Sequence, residues 1–573
     1  MQRKIISILS VIGLVIFIAV LFPQVQEIIV RFIEQKMQRK LGFHTIWAAL
    51  LFSIAMGGIC LILFINYCIH TASGRKLVSI TREEIKDCLV TIDFHSLLKP
   101  VLWMFLVYSL GILTIIRANY LYEDDIWRAV GGERGWYSWS RYVAEILSIL
   151  VHTSLRMTDI SPLPQLLAAL ILSVSSVLLV YILCDKKITT VSLLASIPLG
   201  LSPYFLECLS YKFDAPYMAL SVLASIVPFL FLTRKKAFVF CSVVSLLILY
   251  MTYQAASGIY LMITVVLCFN YWNSKQKTNR EIFLFLGRAA LSFCMAMVIF
   301  KLFLMRPFNA FYVSNTTLPL SQIFSGTFDN LLNYISTINS DMSFIWKICI
   351  VIVVIFFIFR SVHISSQKKP ISLIVSFFII CLSFILSYGI YYVLKQPLFE
   401  PRALFGFGAW LAILCVYVAS NYKKTAIIAV LALNWCFFVF AFSYGNALAD
   451  QKRYVDFRAT ILLNDLSTLY PDKDENEMTV QLKNKMGFTP SVRSIAKHNP
   501  LIYRLLKEKE HFINIYILEH FNYAPSIMSL GSGTPDIDYS TIDLPIVMKS
   551  YYHTIKSDGK RVLVELHEGV KMK

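Results

Sequence analysis

Charge is scarce in this chain. Of its 573 residues only 15% are Asp, Glu, Lys or Arg, against 57% hydrophobic. Soluble domains carry about 25% charged residues, so a water-soluble enzyme is a poor fit. Glycine (22) and proline (19) are few as well, which excludes collagen-like and low-complexity disordered chains. The twelve cysteines form no CxxC pair and none follows residue 445. Neither a disulfide framework nor a thiolate zinc site is therefore indicated, and the cysteines read as small apolar packing groups. No Walker loop, GxSxG elbow, HExxH or GxGxxG on a strand occurs, so ATP-driven transport and hydrolase chemistry lack motif support. Acid is the scarcer sign, 35 residues against 53 basic ones, for a net charge of +18. A soluble protein with that excess would point to nucleic acid. In a membrane protein the first question is which side of the bilayer holds it.

What the chain has in abundance is long apolar runs, with a mean hydropathy of +0.64. A hydrocarbon core roughly 30 Å thick needs about 20 apolar residues per helix. Thirteen candidate spans (eleven to thirteen, since some are short) lie at 5–22, 47–69, 101–116, 163–184, 189–206, 216–233, 237–251, 255–272, 282–304, 344–359, 371–394, 403–419 and 425–444. With the N-terminus in the cytoplasm, inner segments hold 20 basic and 6 acidic residues, while outer loops hold 13 of each. The positive-inside bias thus predicts an N-in, C-out protein, and the +18 becomes a topological signal rather than a claim on nucleic acid. The loop 23–46 fits least well, and 28–41 reads as an interfacial amphipathic helix.

Three parts follow: 1–100 with the first spans and a cytoplasmic segment, a transmembrane core at 101–444 with outer loops 117–161 and 306–343, and a tail at 445–573. The tail holds 17 basic and 16 acidic residues and no run long enough to span. A helix is expected over 447–469, strands over 478–482 and 546–553, and a hairpin turn at Ser557-Asp558-Gly559 leading into 561–566. The fold class is therefore an all-α polytopic membrane protein with a small C-terminal α/β domain.

Polar residues near a bilayer are costly and tend to be functional. The loop 117–161 stands out: Asp124 and Asp125 are bracketed by Arg128 and Arg141 among Tyr120, Tyr122, Trp127 and Trp136. A solvated acidic turn is the plainer reading for a lone pair of acids. Carboxylates beside guanidinium groups and aromatic faces fit a sugar site better, because sugars stack on rings and give their hydroxyls to carboxylates. Other outer turns bring Glu207, Lys212 and Asp214, then Tyr253 and Gln254, then Glu400 and Arg402. Intramembrane Arg288, Lys301 and Lys347 lie near span ends and read as snorkelling side chains.

These motifs are similar to those of the bacterial O-antigen glucosyltransferases (type II glucosyl transferases). The chain resembles that family in Asp124-Asp125-x-x-Arg128, Gly135-Trp136, Arg141 and Ile160-Ser-Pro-Leu-Pro-Gln165. The most specific stretch is Ser202-Pro-Tyr-Phe-Leu-Glu-x-Leu-Ser-Tyr-Lys-Phe-Asp-Ala-Pro-x-Met-Ala219, joined by Tyr253-Gln254 and Asn446-Ala-Leu-x-x-Gln451. The resemblance implies a GT-C-like fold in the bacterial inner membrane. It also implies a hexose, glucose by preference, carried by undecaprenyl phosphate and passed to a periplasmic glycan such as O-antigen. A small flippase and a lipid-phosphate glucosyl synthase are the implied functional partners.

A glycosyl phosphate already has a stable leaving group, so its departure needs charge stabilisation. Arg128, Lys212 and Arg402 are the expected cations, with Arg141, Asp214, Gln254 and Glu400 as further substrate contacts. The acceptor hydroxyl needs a carboxylate base: Asp124 or Asp125, with Asp124 preferred and Asp125 orienting. Tyr122, Trp127, Trp136 and Tyr253 are the expected aromatic sugar contacts. One base and no enzyme nucleophile predicts inversion, and neither a metal nor another cofactor is required. Two other classes compete: a flippase or transporter of lipid-linked sugars, which would want broken midplane helices and internal repeats, and a glycan polymerase or ligase.

Overall fold

The computed structural model describes residues 72–306, 314–420, 424–471, 478–506, 518, 520, 521, 523, 526–527 and 538–568. The expected spans 5–22 and 47–69 and the amphipathic segment 28–41 lie outside the described residues.

The other eleven expected spans are all helical. Among the described residues, seven helices are long and apolar enough to cross a membrane: Phe94–Gly111, Leu163–Leu183, Gln254–Asn273, Asn279–Leu304, Phe344–His363, Lys369–Leu386 and Lys424–Leu469. The chain is a helical membrane protein. The remaining four expected spans, 189–206, 216–233, 237–251 and 403–419, are shorter or broken helices. The segment 189–206 is broken into Thr190–Ala195, Pro198–Leu201 and the start of Phe205–Ser210, because Pro198 and Pro203 each lack the amide that would continue the preceding turn. Gly406–Ala419 is short but buried at every residue. Protein rather than lipid surrounds it, and hydropathy alone does not tell those two environments apart.

The last long helix, α1 (Lys424–Leu469), has 46 residues, roughly 69 Å at 1.5 Å per residue, more than twice the hydrocarbon core. Its first half buries Val430, Leu433, Phe437, Phe440 and Tyr444 against the helical bundle. Its second half buries Val455, Ala459, Leu462 and Leu466 under the C-terminal sheet. The expected domain edge at 445 thus falls within one continuous helix.

Among the described residues, five strands form the tail sheet: β1 (Thr479–Lys483), β2 (Ser526–Ile527), β3 (Ile546–Lys549), β4 (His553–Ser557) and β5 (Arg561–Leu566), in the order β2-β1-β5-β4-β3. β4 and β5 form the expected hairpin, pairing His553 with Leu566 and Ser557 with Val562. Asp558 closes its turn by accepting from the backbone N–H groups of Lys560 and Arg561 at 3.0 and 2.8 Å. Those donors favour its charged form and pull the carboxyl down to about 2. The expected single strand 546–553 is two strands, since Ser550–Tyr552 turn the chain back on itself.

Candidate active site

Four loops that are far apart in sequence line one cavity of about 260 Å³. The first loop is built around a short helix, Asp125–Gly131, ended by Gly132 at φ +68°. Helical spacing puts Asp124 and Arg128 on one face, 3.9 Å apart. Gly135 follows at φ +75°, where any Cβ would meet the Trp127 ring at 2.9 Å. That tight turn sets Trp136 against Arg128, whose guanidinium carbon stands 4.6 Å from the Trp136 ring centre and 5.2 Å from that of Trp127.

Seven of the thirteen expected site residues line the cavity: Asp124, Arg128, Trp136, Arg141, Asp214, Gln254 and Arg402. The three arginines differ in how fully they are satisfied. Arg128 is 3% exposed, pairs with Asp214 and donates Nε to the Arg134 carbonyl at 3.3 Å. Arg402 donates to Glu207 Oε1 at 3.0 Å and to the Tyr211 hydroxyl at 2.7 Å, and its backbone N–H donates to the other Glu207 oxygen. Arg141 lies 4.6 Å over the Tyr253 ring and approaches Asp214 Oδ1 only to 3.8 Å. Its Nε has no hydrogen-bond partner among the described residues.

The two adjacent aspartates occupy different environments. The Asp124 side chain is 56% exposed and faces the cavity. Asp125 is fully buried behind it, accepting from the backbone N–H groups of Tyr122, Lys212 and Phe213 at 3.2, 2.8 and 3.4 Å. Burial, reinforced by the Asp214 charge, pushes its carboxyl up to about 8, against the pull of those donors and of Arg128. Asp125 fastens the acidic loop to the 210s turn.

Five other expected contacts also stay off the cavity wall, and their placement corrects the sequence expectation. Lys212 is buried, with its ammonium on Asn119 and, at 2.8 Å, on Asp159. Tyr122 donates its hydroxyl to the Leu505 carbonyl, and Tyr253 lies beneath Arg141; both are buried. Trp127 backs Arg128 and Gly135. Glu400, half-buried, precedes the turn that carries Arg402.

The cavity also has lining residues that the sequence did not offer. Tyr211 lies inside the most specific motif. Lys301, expected to snorkel, lines the wall and reaches the Thr317 hydroxyl at 3.4 Å. Thr317 belongs to a strand, Ser314–Thr317, paired antiparallel with Leu394–Gln396, within what the sequence suggested only as loops. Met297, Phe300 and Leu398 make the rest of that side apolar. Among the described residues, no three His, Cys, Asp or Glu side chains cluster as a metal site would require.

The sequence model of the family described as "Glucosyl transferase GtrII" matches residues 113–413. The chain belongs to this family. The matched segment contains every residue named above as lining the cavity. A protein of Salmonella phage P22, described as an uncharacterized 55.3 kDa protein in the gtrB 5′ region, is 23% identical over 429 residues. The match covers 70% of this chain and 84% of that one. No solved structure matches. Membership of the GtrII family makes the chain a glucosyl transferase, with a sugar donor and a glycan acceptor at a membrane.

Proposed function

We propose that this protein transfers glucose from undecaprenyl phosphate to a periplasmic glycan of the O-antigen type, with Asp124 as general base and inversion at the anomeric carbon. The observation that carries this reading is one cavity bounded by a half-exposed carboxylate, Asp124, and by Arg141, whose guanidinium comes only to 3.8 Å from Asp214. In the transfer, the acceptor hydroxyl oxygen forms a bond to the anomeric carbon. The bond from that carbon to the phosphate oxygen breaks, and the phosphate leaves with the electron pair. Asp124 takes the hydroxyl proton. Charge collects on the departing phosphate, where the cations of Arg141 and Arg402 stabilise it, strengthened by the low dielectric around them. Arg128 is neutralised by Asp214 and serves to orient Asp124 and Trp136.

The apolar side of the cavity, with Met297, Phe300 and Leu398, suits the first isoprene units of a lipid donor. The basic excess of the inner segments supports an inner-membrane protein with its N-terminus in the cytoplasm. The cavity and the tail then face the periplasm, where a finished glycan is available. A lipid-phosphate glucosyl synthase and a small flippase would supply the donor on that side. The test is transfer by the purified protein in liposomes holding undecaprenyl phosphate glucose, with O-antigen as acceptor and the product linkage read by NMR. Transfer with inversion is expected. Retention of the donor's configuration overturns the single-displacement mechanism, and activity only with a nucleotide sugar overturns the donor.

A further inference from the structure

The C-terminal tail reaches the back of the cavity wall. A short helix, α2 (Leu501–Leu506), buries Leu501, Ile502, Leu505 and Leu506 to 1% exposure or less. They join the core of the helical bundle rather than the core under the tail's own sheet. Four apolar side chains fully withdrawn from water make the contact a firm dock. Between the buried leucines, Arg504 points to the bundle. Its guanidinium pairs with Asp341, 3% exposed at the end of the helix Ile323–Asp341, and donates to the carbonyl of Phe399. Asp341 also accepts from the Tyr204 hydroxyl at 2.9 Å.

Phe399 is three residues before Arg402, on the turn that presents Arg402 to the cavity. Glu207, which holds Arg402 by both its backbone and its guanidinium, follows Tyr204 by the same three residues. One residue of the tail thus fastens both the turn that carries a cavity cation and the segment that carries its counter-ion. The carbonyl of the next residue, Leu505, accepts from Tyr122, three residues before Asp125.

We infer that Arg504 is a positioning residue for glucosyl transfer: through Phe399 and Asp341 it sets the place of Arg402, so the tail completes the cavity rather than only adjoining it. This rests on the reading that Arg402 faces the donor phosphate. Arg is suited to the task because its planar fork serves a carboxylate and a carbonyl at once, whereas Lys supplies a point charge.

The test is a double-mutant cycle in the liposome transfer assay, with Arg504→Met, Arg504→Lys, Arg402→Met and the doubles. Thermal unfolding in detergent is followed alongside. Arg504→Met is expected to lower kcat roughly ten- to a hundredfold, with the acceptor KM unchanged. Arg504→Lys keeps the pairing with Asp341 and the fold, and is expected to recover only part of the rate. In the Arg402→Met background the Arg504 substitutions are expected to cost little more, because the residue they position is gone. Leu505→Ala is the control, lowering the unfolding temperature without that non-additivity. Additive losses in the cycle, or full activity of both Arg504 variants, overturn the inference. Arg504→Lys carries the cycle if Arg504→Met does not fold. Full activity of Arg402→Met instead sinks the phosphate reading on which the inference rests, and the two failures are thereby told apart.

Discussion

Two arginines, Arg458 buried in the tail and Arg141 part-exposed at the cavity, show how one residue type serves two ends. Arg458 is 1% exposed. It donates to the Tyr454 hydroxyl at 2.7 Å and to the carbonyls of Met486, Tyr552 and His567 at 3.1, 2.6 and 3.0 Å. Its donors close on the protein and stitch α1 to the sheet. Arg141 stacks on Tyr253 and leaves its Nε without a partner among the described residues. That Nε is shut off from solvent, while the residue lines the cavity and its Nη1 comes no nearer than 3.8 Å to Asp214. The satisfied arginine holds the fold; the other is the one that the proposed function sets against the donor phosphate.

The comparison breaks most visibly at Arg458. Arg458→Met removes four hydrogen bonds from a charged donor, although Met486 and Tyr552 keep the Tyr454 hydroxyl and the His567 N–H on their carbonyls, and is expected to destabilise the tail by about 3 kcal/mol, read as early proteolysis and a lowered unfolding temperature. Arg141→Gln is expected to leave unfolding nearly unchanged and to cut kcat/KM for the lipid donor roughly 10- to 100-fold, the worth of one or two hydrogen bonds to a charged group. If the two substitutions exchange these signatures, the division between stitch and ligand contact is wrong. Asp125→Asn falls between them. It puts an amide against backbone donors and is expected to cost about 1–3 kcal/mol in stability, while the folded fraction keeps most of its transfer rate.

The smallest effect concerns pH. His553 is buried, with its Nε2 2.9 Å from Asp465 Oδ2 and with Arg458 and His567 also acting on it. Burial holds its pKa below the ordinary 6.5, overcoming the Asp465 charge. The neutral form belongs to the folded state, so this contribution is present above 6.5 and is lost as pH falls through the depressed value. The tail's unfolding temperature should decline on acidification, and His553→Gln should flatten that slope.

Much of this was legible in the sequence because hydropathy and short motifs are local. The long apolar runs marked the membrane helices, the Ser557-Asp558-Gly559 turn marked the β4–β5 hairpin, and the Asp124-Asp125-x-x-Arg128 spacing marked the loop around which the cavity forms. What escaped is non-local. Whether Tyr122 or Tyr211 reaches the cavity depends on backbone direction, which neither neighbour reveals. Lys301 sits near a span end like Arg288 and Lys347, and only the pairing of Ser314–Thr317 with Leu394–Gln396 brings it to the wall. Arg504 has no motif at all: its role comes from docking α2 onto helices more than a hundred residues away.

The central claim is that Asp124 removes the acceptor proton while Asp125, its immediate neighbour, holds the loop. The most direct measurement is the initial rate of glucosyl transfer by Asp124→Asn in liposomes, normalised to folded protein and set beside Asp125→Asn. The account predicts a fall of roughly 10²–10⁴-fold for Asp124→Asn, with donor binding retained. A rate for Asp124→Asn equal to that of the unsubstituted protein, or a larger loss of rate in folded Asp125→Asn, would contradict it.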